Sequence, residues 1–453
     1  MNRPRGRSRH APDAPAATGQ RIEIALERLT HDGRGIGRWQ GRTVFVEGAL
    51  PGERVTARVT RARSKLIEAR LEQLLQASPE RQSPACPHVD LCGGCSLQHV
   101  PRQTQLQLKQ QALAQQLEHF AGLQPQRWMP PLTGPEYGYR QRARVSVRWD
   151  PRAQRLQVGY RQRASNALVE VSHCPVLAPR LEQLLQALPA ELRQLERQAA
   201  LGHVELLGGE QPGMIVRHLQ PLAEGDRERL RGLARRHGVA CYLQSGSEAE
   251  LHVLTDEAAQ PAYRLADQQL DFHFSAGDFT QVNADINQLM VNQALEWLAV
   301  EPGERVLDLF CGVGNFTLPL ARAGALVTGV EGSPEMVTRA AANARLNNLE
   351  GVHFFQGDLS NSQKSEWLTP DTDYHAALLD PPRDGAAHMT AVLARMRIPR
   401  ILYVSCNPAT LARDAGILAA AGYRLVQVGI MDMFPQTAHV EAMALFVSGK
   451  DRK

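Results

Sequence analysis

The sequence predicts an α/β protein in which a doubly wound sheet with an antiparallel edge pair follows a small N-terminal β-barrel and a central α+β region. Three observations carry that prediction. Strand-like runs alternate with helical stretches from about residue 270 to the end, the pattern of a parallel sheet covered on both faces. Five short period-two runs separated by glycine turns fill Ile22 to Leu75, the size of a small barrel. The length of 453 residues is roughly two to four times a typical domain, which excludes a single core. The expected division is 1–20, 21–76, 77–268 and 269–453.

Residues 1–20 (MNRPRGRSRHAPDAPAATGQ) are rich in Arg, Pro and Ala with almost no apolar bulk. They cannot bury enough surface to offset chain entropy and are expected to form a disordered basic arm. A transit peptide is the rival, but several prolines would break its amphipathic helix. The barrel strands are read from IEIALERLT, HDGRGIGRWQGR, TVFVEGAL, PGERVTARVTRAR and KLIEARLEQLL. Thr43, Val44, Phe45 and Val46 alternate between Gln40-Gly41 and Pro51-Gly52, a hairpin pattern. Arg28, Arg34, Arg38, Arg42, Arg54, Arg58, Arg61 and Arg63 would give this barrel a cationic surface for a polyanion, or simply a solvated face.

The central region opens with PACPHVDLCGGCSL and a Gln-rich amphipathic helix over 101–119. Cys86, Cys92 and Cys95 are spaced C-x5-C-x2-C, and Cys174 in SHCP offers a fourth thiolate. Closely spaced cysteines in a reducing compartment point to metal ligation rather than disulfides. Spacing alone does not separate a four-thiolate zinc site from an iron–sulfur cluster, and zinc has the higher prior. His88, His99 and His173 are placed as supporting or surface groups. Residues 127–163 carry nine Arg against two acids, interleaved with Tyr137, Tyr139, Trp149 and Tyr160. Phosphate pairing and base stacking need those two side-chain types together, so a nucleic-acid surface is expected; Arg guarding an exposed sheet edge is the alternative.

In the C-terminal part, VLDLF is followed by CGVGN and a helix, ALVTGVE by a helix from Ser333 to Asn347, and VHFFQGD ends at Asp358. AALLD, ILYVS, YRLVQVGIMD and VEAMALFVS complete the sheet. Gly312 and Gly314 allow a tight turn and close ligand approach at a helix N-terminus. Asp308 within the first strand, Glu331 at the end of the second and Asp358 after the third line the crevice where strand order reverses, with Glu331 placed for ribose hydroxyls. Thr317 stands where a dinucleotide fingerprint has its third glycine, which favours S-adenosylmethionine, a ligand without a pyrophosphate, over NAD or FAD. Cys406 in SCNP precedes Pro408 at a helix start, where a thiol tends toward a lowered pKa; a buried inert cysteine is the alternative. Asp380 in DPPR ends the fourth strand, and Glu441 begins an otherwise apolar strand, where an unpaired carboxylate should have a raised pKa and is a candidate general base; a surface strand end is the alternative.

The net charge of +4 averages a basic front, +7 over 1–72, with an acidic back, −6 over 271–453. Only five of 51 cationic residues are Lys, and the Arg excess suits phosphates and base edges, although genomic base composition gives the same bias. No apolar run approaches the length of a membrane span, and from an odd count of seven Cys at low density, with no apolar secretory segment at the N-terminus, a reducing, cytoplasmic compartment is expected.

The motifs together resemble one family, the RNA uracil-C5 methyltransferases, and among them the bacterial enzymes of 23S rRNA. The resemblance covers nearly the whole chain from about residue 20. It rests on LTHDGRGIGRW and VFVEGALPGE, similar to the TRAM barrel, on the four cysteines, and on SAGDFTQVN, LDLFCGVGNF, LDPPR, YVSCNP and HVEAMALF. It implies a Rossmann-like methyltransferase domain over 269–453, an OB-like TRAM barrel that binds RNA, and a central iron–sulfur domain. It also implies a [4Fe-4S] cluster on Cys86, Cys92, Cys95 and Cys174, which replaces zinc as the expectation. Gln281, Phe310, Asn315, Glu331, Asp358 and Asp380 are implied to bind S-adenosylmethionine, with Cys406 as nucleophile and Glu441 as base. The implied substrate is the 23S rRNA uridine numbered 1939 in the family, with no DNA or membrane partner and a monomeric chain. The rivals are another rRNA or tRNA uridine, and a non-enzymatic iron–sulfur RNA-binding protein.

Overall fold

The computed structural model describes residues 17–246, 251–255, 260–275, 277–360 and 373–449. Most of the expected N-terminal arm lies outside the described residues. The chain divides into two compact units, Met1–Ser83 with Ser96–Leu108 and Pro84–Cys95 with Lys109–Lys453.

In the first unit, β1 (Arg21–Leu29), β2 (Gly35–Trp39), β3 (Arg42–Glu47), β4 (Arg54–Ala62) and β5 (Leu66–Gln76) close into a barrel in the order β1-β2-β3-β5-β4. Period-two alternation sends Ile22, Ile24, Leu26, Val44, Val46, Val55, Ala57 and Val59 into one core. The β2–β3 turn uses Gln40 and Gly41, both at positive φ (47° and 75°), matching the strand twist. A side chain on Gly37 would meet the Ala25 carbonyl at 2.3 Å, so only glycine lets β1 and β2 close there. Glu53 is 1% exposed and fastens the barrel: it accepts the Leu50 N–H at 2.7 Å and Arg81 at 2.5 and 2.8 Å. Burial alone would raise its pKa, but Arg81 and the backbone donors hold it below the ordinary value of 4.5.

Helix α1 (Arg102–Gln116) follows the cysteine loop, and the second unit continues with β6 (Arg127–Trp128), β7 (Arg142–Asp150), β8 (Arg155–Arg161), β9 (Leu168–Val169), α2 (Pro179–Leu192), β10 (Leu201–Leu207), β11 (Gly213–His218), α3 (Glu224–His237), β12 (Ala240–Ser245) and β13 (His252–Val253). Among the described residues a sheet forms in the order β13-β12-β11-β10-β7-β8-β9. Leu181, Leu184, Leu185 and Leu188, spaced along one face of α2, pack with Val145, Val158, Val204 and Val216. β7 is paired on both sides, by β10 and β8, so its arginines do not guard an edge. The aromatic half of the nucleic-acid expectation is corrected here. Tyr139 is 3% exposed and so is withdrawn from a stacking surface, whereas Trp149 and Tyr160 are partly buried against the central core and Tyr137 is half-buried.

The remaining elements are β14 (Ala262–Leu265), β15 (Leu270–His273), α4 (Ala284–Leu298), β16 (Arg305–Leu309), α5 (Thr317–Arg322), β17 (Leu326–Glu331), α6 (Pro334–Leu346), β18 (Val352–Gln356), β19 (Ala376–Leu379), α7 (Ala387–Met396), β20 (Arg400–Ser405), α8 (Pro408–Ala420), β21 (Tyr423–Met431) and β22 (Glu441–Ser448). The described sheet has the order β18-β17-β16-β19-β20-β22-β21-β6, parallel from β18 to β20 and antiparallel through β22 and β21. Ala376–Leu379 are all buried, as strands covered on both faces must be. The expected antiparallel pair is present, with one refinement. β22 inserts between β20 and β21, and β6, drawn from far upstream, pairs with the outer side of β21 and satisfies its edge.

Candidate active site at the carboxyl edge of the sheet

The strand order reverses between β16 and β19, and the loops beyond their carboxyl ends form the crevice expected to hold ligands in such folds. Phe310 leaves β16 in the left-handed region at φ 63°, uncommon for a side chain of its size, and Gly312 and Gly314 follow at 57° and 99°. The Glu331 carboxylate accepts the Gly312 N–H at 3.1 Å and the Ser333 N–H at 3.0 Å, tying the glycine turn to the start of α6. Asp308 is fully buried. Thr317 donates to its Oδ2 at 2.5 Å, while Oδ1 has no hydrogen-bond partner among the described residues. Burial, with Asp380 and Glu331 nearby, pushes Asp308 up to about 7. Asp380, just past β19, is likewise pushed up to about 7 by desolvation. Thr317 at the missing third glycine is therefore no gap in the motif, since its hydroxyl holds the buried acid.

Asn315 exchanges amide hydrogen bonds with Asn287 on α4, at 2.9 and 3.1 Å, and its Oδ1 also accepts Tyr263 Oη–H at 3.0 Å. Gln281 stands farther out, in a cleft of about 400 Å³ whose lining includes Arg142, Tyr263, Phe274 and Thr280. Tyr263 thus belongs to both the Asn315 group and the Gln281 cleft. Asp358, two residues past β18, accepts the Ser360 N–H at 2.9 Å and hydroxyl at 2.6 Å. Asn287 and Tyr263 carried no motif signal in the sequence, because an amide on an apolar helix and a tyrosine in a short strand look like ordinary packing.

Cys406 follows β20, and Asn407 caps α8 by accepting the Ala409 N–H at 3.1 Å. β20 and β22 pair antiparallel from Arg400↔Val447 to Ser405↔Ala442. Continuing that register by one residue sets Cys406 opposite Glu441, the spacing at which cross-strand side chains interact. Electrostatics agree with the register. Burial, then Glu441 and then Asp380, push the Cys406 thiol up to about 11. This corrects the lowered pKa expected from its place before a helix, because desolvation and two carboxylates outweigh the helix terminus in the ligand-free chain. Glu441 behaves as expected: burial and Asp380 raise it well above 4.5, opposed by Arg383 and Lys109. Arg383, in the DPPR loop, also acts on Cys406, and Asn407 Nδ2 donates to its carbonyl at 3.0 Å.

Among the described residues none of the four cysteines of the central region forms a disulfide. Cys86 Sγ lies 4.0 Å from the His173 carbonyl, next to Cys174, and Gly93 donates to the Arg161 carbonyl at 3.1 Å, packing the Cys92–Cys95 turn onto the end of β8. Burial first, then Cys95, Cys86 and Cys92, push Cys174 up to about 12. Among the described residues no three or more His, Cys, Asp or Glu groups converge as the ligands of one metal ion would. The nearby histidines are occupied otherwise: His88 Nε2 accepts the Ser172 N–H at 3.2 Å, and His173 pairs with Glu182.

Comparison with known proteins fits this geometry. The sequence model of the family described as tRNA (Uracil-5-)-methyltransferase matches residues 101–448, and that of the TRAM domain matches 15–71. The 23S rRNA (uracil(1939)-C(5))-methyltransferase RlmD of Pseudomonas putida is 52% identical over 438 residues, covering 97% of this chain and 96% of that protein. The protein of the same name from Pseudomonas aeruginosa is 50% identical over 455 residues, covering 99% and 100%. The crystal structure of Pyrococcus abyssi tRNA (uracil-54, C5)-methyltransferase in complex with S-adenosyl-L-homocysteine superposes with a TM-score of 0.70 at 22% identity, covering 94% of this chain and 100% of that one. No described helix is long and apolar enough to cross a membrane. Barrel, sheet order and sequence agree from end to end, and the chain belongs to the tRNA (uracil-5-)-methyltransferase family, with a TRAM domain at its N-terminus.

Proposed function

We propose that this chain transfers a methyl group from S-adenosylmethionine to C5 of a uridine in 23S rRNA, the position 1939 for which its Pseudomonas relatives are named. The observation that carries this reading is the register that sets Cys406 opposite Glu441 beside Asp380. Addition and elimination at a pyrimidine need a nucleophile and a base within reach of adjacent ring carbons.

Uracil C5 is a weak nucleophile. Addition of Cys406 Sγ to C6 breaks the C5=C6 π bond and moves its electron pair onto C5 and the adjoining carbonyl as an enolate. S-adenosylmethionine, when bound, supplies the methyl group to C5 from its sulfonium. Glu441 then takes the remaining C5 proton, the C–H electron pair restores C5=C6, and Cys406 leaves as thiolate. A carboxylate with a raised pKa is the stronger base for this step. Arg383 offsets the negative charge at both groups. A stacked base hides C6, so the target uridine must leave the stack to reach the crevice.

We assign S-adenosylmethionine to Gln281, Phe310, Asn315, Glu331, Asp358 and Asp380. The glycine turn, the Glu331 carboxylate at the end of β17 and the buried Asp308 oxygen without a hydrogen-bond partner among the described residues support that assignment. We assign a [4Fe-4S] cluster to Cys86, Cys92, Cys95 and Cys174. The C-x5-C-x2-C spacing, with Cys174 as a fourth thiol whose pKa the other three raise, supports that assignment. We assign the chain to the cytoplasm, the setting in which an odd count of seven cysteines at low density is expected to stay reduced. One chain is sufficient, since it carries the nucleophile, the base and the whole cofactor set.

A second reading, the same chemistry on a tRNA uridine, is favoured by the family description. The deciding experiment incubates the iron-replete chain with S-adenosylmethionine labelled in its methyl group and with unmodified 23S rRNA or tRNA, then maps the label by mass spectrometry. Label at C5 of uridine 1939 is expected. Label only in tRNA would keep the chemistry and change the substrate, and no label in either would leave an RNA-binding protein.

A further inference from the structure

The loop 432–440 joins β21 to β22 and delivers Glu441 to the first position of its strand. Five consecutive residues of that loop are held by groups from distant parts of the chain. Asp432 donates its N–H to the Leu132 carbonyl at 2.8 Å, and its carboxylate receives Lys109 Nζ at 2.6 Å. Asn283 donates to the Met433 carbonyl at 3.3 Å, Lys109 again to the Phe434 carbonyl at 3.0 Å, and Tyr139 to the Pro435 carbonyl at 3.1 Å. Gln436, buried and in the left-handed region at φ 67°, donates to Glu136 at 3.2 Å. A side chain at that φ persists only where its surroundings impose it.

Lys109 and Asp432 are each 1% exposed and lie 323 residues apart in sequence. A buried ion pair is generally no more stabilising than apolar residues of the same volume, so its presence speaks for fixing geometry rather than for adding stability. We propose that Lys109 and Asp432 are positioning residues for the elimination step: their buried pair holds the 432–440 loop on the backbone path that keeps the Glu441 carboxylate across from Cys406, where C5 stands once C6 is bonded to the thiol. The proposal rests on the reaction given above. Thiol addition and methyl transfer do not use Glu441, so loss of the pair slows only removal of the C5 proton and release of Cys406.

Lys109→Met alone would leave Asp432 buried without its cation and endanger folding. The test is therefore the double variant Lys109→Met/Asp432→Leu, in the full iron-replete chain, with a 23S rRNA fragment containing uridine 1939. Its melting temperature and its affinity for S-adenosylmethionine are expected to match the wild type, and the covalent protein–RNA adduct to form at the wild-type rate. The adduct, followed on denaturing gels, is expected to persist on the order of 10²-fold longer, the cost of misplacing a reacting group by about 1 Å. Adduct lifetime and turnover equal to wild type would overturn the proposal. So would joint loss of cofactor affinity and adduct formation, which would mean that the pair supports the site as a whole. Failure of the underlying reaction shows differently, as a wild-type chain that yields neither adduct nor methylated RNA.

Discussion

In the proposed reaction Cys406 and Glu441 divide the chemistry between them, and their substitution should divide the reaction in the same place. Cys406→Ala is expected to abolish both the adduct and methylated RNA. Glu441→Gln is expected to form the adduct and lose about 10²–10⁴-fold in turnover, so that the covalent species accumulates on a denaturing gel. A Glu441→Gln chain that turned over normally would remove Glu441 from the base role. The thiol's raised pKa adds a pH prediction. With Cys406 at about 11 in the ligand-free chain, its thiolate fraction rises roughly tenfold per pH unit below that value. Alkylation of Cys406 by iodoacetamide should therefore climb steadily from pH 7 to 9, and a plateau already at pH 7 would show a thiol that ionises early. Both residues were legible in the sequence because each sits in a strand-end motif with an unusual neighbour, Pro408 for one and an apolar run for the other. The direction of the thiol shift was not, since it depends first on burial and then on two carboxylates brought in by other strands.

At the scale of elements, the barrel depends on one buried charge. Glu53 holds Arg81 and the Leu50 N–H, and its pKa lies below 4.5 in the folded chain. A depressed carboxylate contributes stability that is present above its unfolded value and disappears as pH falls through the folded one. The barrel amides should thus lose hydrogen-exchange protection as pH drops below about 4.5, after correction for intrinsic exchange. Glu53→Gln, which keeps the shape but loses the charge, should cost about 1.5–3 kcal/mol at neutral pH, read as faster exchange of the same amides. Unchanged protection in that variant would make the pair a bystander. The strands of the barrel were readable because a half-buried strand has a period of two whatever surrounds it. The arginines of β7 were readable only in part. Arg142 and Arg144 both bond Glu205 on β10, yet Arg142 is 17% exposed and Arg144 62%, a difference that sequence spacing does not express.

Over the whole molecule, the cysteine set makes a prediction of its own. Cys174→Ser should purify without the full complement of about four irons and without the brown colour of a cluster. It should bind 23S rRNA more weakly while its affinity for S-adenosylmethionine is kept, because Cys174 lies in the central region and the cofactor set in the C-terminal sheet. Full iron content in that variant would take Cys174 out of the ligand set. RNA affinity in the wild-type chain should fall linearly in log–log form with rising salt, as expected when Arg side chains displace phosphate counterions. A salt-independent affinity would mean that neither the barrel nor the Arg-rich strands carry the contact.

The sequence by itself determined the order and kind of the elements, the glycine turn with its flanking acids and the places of the cysteines and of Glu441 at strand ends, because each of these is written in residues that stand close together along the chain. Tertiary structure alone decided which strands are neighbours. β22 inserts beside β20, and only that choice sets Cys406 opposite Glu441. Lys109 reaches Asp432 across 323 residues, one of several long-range contacts that hold the loop leading into Glu441. Strand order and buried ion pairs are settled by how apolar faces pack and where desolvated charges find partners, and neither leaves a local pattern to read.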